Sequence, residues 1–150
     1  MLFRELDGFD ENLKSGEDYD LCERASSLGC KIWIDTELVA YHHGYPETIG
    51  GFFRRERWHG MGDVTSISKV AHSKVAIAAL LFGLLHLALI TSLFFGLAET
   101  MVSFGSIFCL CVLVIIYKFN LCSPTLILKL VPAVYFYLLG RLFAFAPINR

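Results

Sequence analysis

From Val75 to Ala98 the chain runs 24 residues without a formal charge. At about 1.5 Å of rise per residue a helix of that length reaches about 36 Å, more than the roughly 30 Å of a bilayer's hydrocarbon core. The run therefore predicts a transmembrane helix. Met101 to Tyr117 adds 17 uncharged residues after only Glu99 and Thr100, which predicts a second span folded back on the first as a tight antiparallel hairpin. Thr125 to Phe145 is apolar too but contains Lys129, Pro132 and Arg141. Both charges lie four residues from an end, where long side chains reach the headgroups, so this stretch predicts a third span or an interfacial segment. The expected membrane region is 75–146, with helices at about 75–98, 101–117 and 125–145, preceded by a juxtamembrane linker at 61–74.

The chain's 150 residues are 55% hydrophobic and 18% charged, with a mean hydropathy of +0.57. A soluble domain carries about 25% charged residues, so a single soluble globule is excluded. Met1–Ser73 holds 8 Lys/Arg against 13 Asp/Glu, and Lys74–Arg150 holds 5 against 1. Lys69, Lys74 and Lys118 flank one end of the expected hairpin and Glu99 the other, which by the positive-inside rule puts the polar half in the cytoplasm. Three spans would then leave Arg150 outside. The opening Met1-Leu2-Phe3-Arg4-Glu5 has no basic stretch followed by an apolar one, so no cleavable secretory signal is expected. Nucleic acid is excluded as a partner, because the one basic cluster, Arg54, Arg55 and Arg57, is short and flanked by aromatics. Five cysteines without a CxxC pair are expected to be reduced and structural. His86, at mid-span, has no acidic partner within the spans for a proton relay, and is expected to be neutral and hydrogen-bonded to a neighbouring helix.

The polar half is about 70 residues, near the size at which a lone core stops outweighing chain entropy. Within it, Leu21, Ala25 and Leu28 form an apolar stripe at helical spacing, and Gly29 stands where a glycine would end the helix. A short helix is predicted from near Asp18 to near Leu28. Lys31–Asp35 and Leu38–His42 are rich in β-branched and aromatic residues, which predicts two short strands joined at Asp35-Thr36-Glu37. Ile49–His59 is expected as a helix or an irregular interfacial segment.

Three groups of residues in this half carry chemistry. Glu17, Asp18 and Asp20 fall at a helix start, where acids complement the macrodipole and Asp20-x-x-Glu23 fits a loose capping box. A carboxylate held there also stays ionised and rigid, as a general base for a hydroxyl nucleophile must. Position alone leaves both open. His42 and His43 end an apolar strand before a glycine turn. Adjacent strand residues point to opposite faces, so at most one of the two serves a given divalent metal. Phe52-Phe53-Arg54-Arg55-Glu56-Arg57-Trp58-His59 suits an anchor in the headgroup zone, and equally an arginine clamp on a diphosphate.

Taken in order, four of these signatures resemble the closing third of the catalytic domain of glycosyltransferase family 2, the inverting GT-A enzymes that use nucleotide-sugars. Asp7-Gly8-Phe9-Asp10-Glu11 is similar to the family's GGFDE loop, with Asp7 at the first glycine. Glu17-Asp18-Tyr19-Asp20-Leu21-Cys22-Glu23-Arg24 resembles its EDxDLxxR motif. Gly29-Cys30-Lys31-Ile32 resembles its turn into a strand, and Tyr41-His42-His43-Gly44 its terminal histidine motif. Arg54-Arg55-Glu56-Arg57-Trp58 is similar to the QxxRW box of processive synthases in its Arg-Trp end, with Arg54 at the Gln position.

The resemblance implies an α/β fragment at 1–60, the C-terminal part of a GT-A Rossmann-like domain, followed by the membrane helices. It implies Asp18, beside Glu17, as catalytic base, and His42 as a ligand of a divalent Mn or Mg ion on the leaving diphosphate. Arg54, Arg55, Arg57 and Trp58 would bind substrate or diphosphate. The expected partners are a nucleotide-sugar donor, a lipid-linked or saccharide acceptor and the membrane. The nucleotide-binding half, which the family places before the residues matched here, would be on a separate chain if this is a split product, or is missing because this is a truncated product or a fragment of a longer chain. Alone, the chain would be inactive. A non-enzymatic membrane subunit is the rival from another class, and a small transporter or channel is a third.

Overall fold

The computed structural model describes residues 2–35, 37–41, 43–120 and 123–146. All regular structure among them is helical: α1 (Leu2–Glu5), α2 (Glu17–Ser27), α3 (Ile49–Asp63), α4 (Ile67–His72), α5 (Lys74–Ser92), α6 (Leu97–Phe119) and α7 (Pro124–Phe143). The expected α/β fragment is not formed. Residues 31–35 and 37–41 carry no strand, although Asp35 Oδ1 accepts a turn-like hydrogen bond from the Glu37 amide at 2.9 Å. The physical reason is the lack of neighbours: a two-stranded ribbon is marginal in water, and strand-forming side chains pair only against a sheet or a covering layer.

Each helix boundary has a local cause. α2 ends in a full Schellman arrangement: Gly29 at φ +80°, its N–H on the Ser26 carbonyl at 2.9 Å, and the Cys30 N–H on the Ala25 carbonyl at 3.1 Å. Thr48 caps α3 by accepting from the Gly51 amide (3.1 Å), and Ser66 and Ser73 cap α4 and α5 in the same way. The residues expected as a linker, 61–74, are thus mostly helical. The hairpin turn falls at Leu93–Gly96 rather than at Glu99-Thr100. Gly96 adopts φ +147° and its carbonyl accepts from the Thr100 hydroxyl at 2.8 Å, which draws Glu99 into the first turn of α6.

α5, α6 and α7 are three helices long and apolar enough to cross a membrane. Only 22%, 17% and 22% of their most apolar windows are buried within the chain, so most of that surface faces outward and calls for lipid rather than water. Their mutual core is built from Phe82, Ile107, Leu110, Cys111, Ile115, Val134, Tyr137 and Leu138. His86 joins two of them as expected, with Nδ1 on the Phe82 carbonyl (2.8 Å) and Nε2 on the Tyr135 hydroxyl (3.0 Å).

α7 is also the platform for the polar half, because α3 lies along its C-terminal turns. Gly60 and Gly140 permit the approach. A Cβ on Gly60 would stand 2.7 Å from Ala144 Cβ, and one on Gly140 would stand 2.9 Å from both Glu56 Cβ and the Phe53 carbonyl. Arg141 does not snorkel. Its Nε and Nη2 donate to Glu56 Oε2 (3.2 and 3.1 Å) and its Nη1 donates to Asp63 Oδ2 (2.9 Å). Arg57 completes the joint by donating to the Phe143 and Ala146 carbonyls at the end of α7. The last turns of α7 are therefore gathered with the polar half, while Arg150, expected on the far side, lies outside the described residues.

Candidate functional site

The acidic motif and the arginine-aromatic segment, forty residues apart in sequence, meet through one hydroxyl. Ser15, buried just before α2, donates from Oγ to the Trp58 carbonyl (3.0 Å) and the His59 carbonyl (3.3 Å), and accepts from the Gly62 amide (3.1 Å). Gly62 must lack a side chain for this clasp, since its Cβ would lie 2.8 Å from the Ser15 carbonyl. Gly16 then opens α2 at φ +81° without a side-chain cap.

Arg24 fixes the other end of the motif. Its Nε pairs with Asp20 Oδ2 at 2.8 Å, one Nη donates to the Gly8 carbonyl at 2.8 Å, and the other to the Leu6 carbonyl. Asp20 is thus engaged with Arg24 and not in a capping box. The loop that Arg24 holds has two successive left-handed residues, Asp7 at φ +60° and Gly8 at φ +70°. A Gly-Gly pair would adopt that geometry most readily, and Asp is among the few other residues that tolerate it. Within this loop Asp10 accepts from the Asn12 amide and side chain (2.9 and 3.0 Å), and those bonds, the backbone one first, hold its carboxyl below the usual range.

Two clefts flank the clasp. One, of about 380 Å³, lies between the start of α2, the end of α3 and α4, and its wall includes Tyr19, Glu23, His59, Lys69 and His72. The other, of about 220 Å³, is lined by His43, Gly44, Tyr45, Arg55, Trp58 and His59. His59 lines both. Its Nε2 accepts from Arg55 Nε at 3.4 Å and its ring lies 4.9 Å from that of Trp58. Burial above all lowers the His59 pKa, with Arg141 and Arg55 acting in the same sense against Glu56 and Asp18. A ring that accepts from a guanidinium is neutral, with its proton on Nδ1.

The residues singled out from sequence fall as follows. Asp18 is exposed, close enough to His59 for its charge to act on that ring, and its Oδ1 accepts from the Tyr19 amide at 2.8 Å. Glu17 beside it is half-buried. The three arginines go three ways. Arg57 is committed to the end of α7, Arg55 stacks over the Tyr45 ring at 4.9 Å, and Arg54 is exposed. Trp58 lines the smaller cleft with Arg55. His42 lies outside the described residues, while His43 lines that same cleft. Among the described residues no group of three or more His, Cys, Asp or Glu side chains stands together as a metal site. His59 was not singled out by sequence reasoning, and the signal for it was its position four residues after Arg55, which puts both side chains on one face of the helix.

Comparison with known proteins finds no family model, no curated protein and no solved structure that matches this chain.

Proposed function

We propose that the chain serves as the membrane-anchored C-terminal segment of an inverting glycosyltransferase, in which Asp18 takes the proton from an acceptor hydroxyl as it attacks a nucleotide-sugar. The reading rests on the motif order in the sequence. The single structural observation that supports it is the Ser15 clasp, which ties the residue two positions before Glu17 to the Trp58 and His59 carbonyls, with Asp18 near enough to His59 for its charge to act on that ring. Asp18 is exposed in the first turn of α2, where an acceptor hydroxyl can reach its carboxylate. Arg55 and Trp58 line the smaller cleft and would meet substrate there, whereas Arg57 is bound to the end of α7.

The nucleotide-binding half lies outside these 150 residues, in a separate chain or in another part of a longer one. Ile32, Trp33, Ile34, Leu38, Val39 and Tyr41 are exposed, an apolar run that such a half would cover. His42, outside the described residues, is the residue of this chain that would ligate a divalent metal. The lysines at the ends of α5 and α6 orient the polar half toward the cytoplasm. A second reading, a non-enzymatic membrane subunit, is favoured by the structural employment of Asp20, Arg24 and Arg57.

Asp18→Asn separates the two readings. Asn keeps an oxygen that can accept the Tyr19 amide but cannot take up a proton at neutral pH. In membranes containing the full chain together with its nucleotide-binding half, transfer from labelled nucleotide-sugar should fall by about 10²- to 10⁴-fold, with insertion unchanged. Glu17→Gln and Asp20→Asn are the charge-matched controls. Retention of more than about a tenth of the activity, below the range for a lost base, would leave Asp18 with a capping role only.

A further inference from the structure

The cleft between the ends of the hairpin carries chemistry that sugar transfer does not use. It encloses about 410 Å³, within the range of small-molecule sites. Lys74, at the first residue of α5, and Tyr117 and Lys118, near the end of α6, stand at one side, and Val75, Ala78 and Leu113 supply apolar wall. Lys74 Nζ donates to the Tyr117 hydroxyl at 2.7 Å, so the phenol's own proton is left for another acceptor. Lys118 Nζ lies 4.0 Å from the centroid of the Tyr137 ring. Among the described residues no carboxylate lines the cleft, and Glu99, the one acidic side chain of the membrane half, is at the opposite end of α6.

Two ammonium groups and a hydroxyl that face no carboxylate among the described residues call for a negatively charged ligand. An anion that was only water-soluble would gain nothing from the apolar wall, and a purely apolar ligand would gain nothing from the lysines. Together they select an amphiphile with an anionic head. We propose that this cleft binds an anionic phospholipid from the leaflet on the polar half's side. Its phosphate is held by Lys74, Lys118 and the Tyr117 hydroxyl, and the start of one acyl chain lies along Val75, Ala78 and Leu113. The site is independent of the glycosyltransferase reading, since none of its residues belongs to either cleft beside the Ser15 clasp.

The test is native mass spectrometry of the full chain in detergent, titrated with phosphatidylglycerol, with phosphatidylcholine of the same acyl chains, and with inorganic phosphate as competitor. Phosphatidylglycerol should bind at least about tenfold more tightly than phosphatidylcholine. The Lys74→Gln/Lys118→Gln double variant should abolish most of that preference, at about fivefold per lysine, while Lys129→Gln, an exposed lysine outside the cleft, should leave it intact. Equal affinity for the two lipids, an equal loss in Lys129→Gln, or displacement by millimolar phosphate would each overturn the proposal. The wild-type comparison of the two lipids decides the matter by itself if the double variant does not insert.

Discussion

Ile34 and Arg141 invert what hydropathy alone would assign. Ile34 belongs to an apolar stretch of the polar half and is 84% exposed, with Trp33 at 88% and Tyr41 at 85%. Arg141 carries a full charge inside an apolar helix, yet its side chain is only 16% exposed and that of its partner Glu56 only 11%. The difference lies in available partners. Arg141 finds two carboxylates and makes three charge-assisted hydrogen bonds, which offset the cost of removing charges from water. The stretch around Ile34 finds no facing layer within the described residues, and its side chains stay in solvent.

The largest effect should come from breaking the buried cluster on one side only. Arg141→Met leaves Glu56 and Asp63 without their cation and should lower stability in detergent by about 3 to 5 kcal/mol. Combining it with Glu56→Leu should recover a good part of that loss. Thermal unfolding of both variants checks the pair, and a double variant no better than the single would mean that Arg141 is held by packing alone. An intermediate effect should follow from filling the α3–α7 contact. Gly140→Ala drives a methyl group against the Phe53 carbonyl and Glu56 Cβ, with an expected loss of about 1 to 3 kcal/mol. Gly105→Ala, where nothing lies within 4 Å, is the matched control in α6 and should be harmless. The smallest effect belongs to the exposed stretch: Ile34→Asp should shift stability by no more than about 0.5 kcal/mol. A loss of several kcal/mol there would show that this stretch is covered in the isolated chain.

The same contrast explains what the sequence could and could not reveal. The existence of the hairpin spans and the end of α2 at Gly29 depend on composition and on contacts within one or two turns, so local pattern suffices to find them, whereas the turn between the spans falls at Leu93–Gly96 and not at the charge break at Glu99. His86 was legible for a related reason: a lone imidazole in an apolar span must find a hydrogen bond on a neighbouring helix. The strands at 31–35 and 38–42 were overread, because β-propensity describes a willingness to pair and does not supply the pair. Arg141 was underread. Its position near a helix end suits snorkelling equally well, and the carboxylate that captures it lies 85 residues away. In the candidate site, Glu17, Asp18 and Arg55 stand within local signatures, whereas Ser15 and the His59 carbonyl are joined by a clasp that spans more than forty positions.

The joint between α3 and the end of α7 also has an order in time. Glu56 and Arg57 are synthesised 85 to 89 residues before the groups they bind, and both helices of the hairpin are made in the interval. Until Arg141 is made, Glu56 and Asp63 are two carboxylates awaiting a countercharge, and α3 has no platform on which to settle. Translation through the last turn of α7 therefore completes the joint.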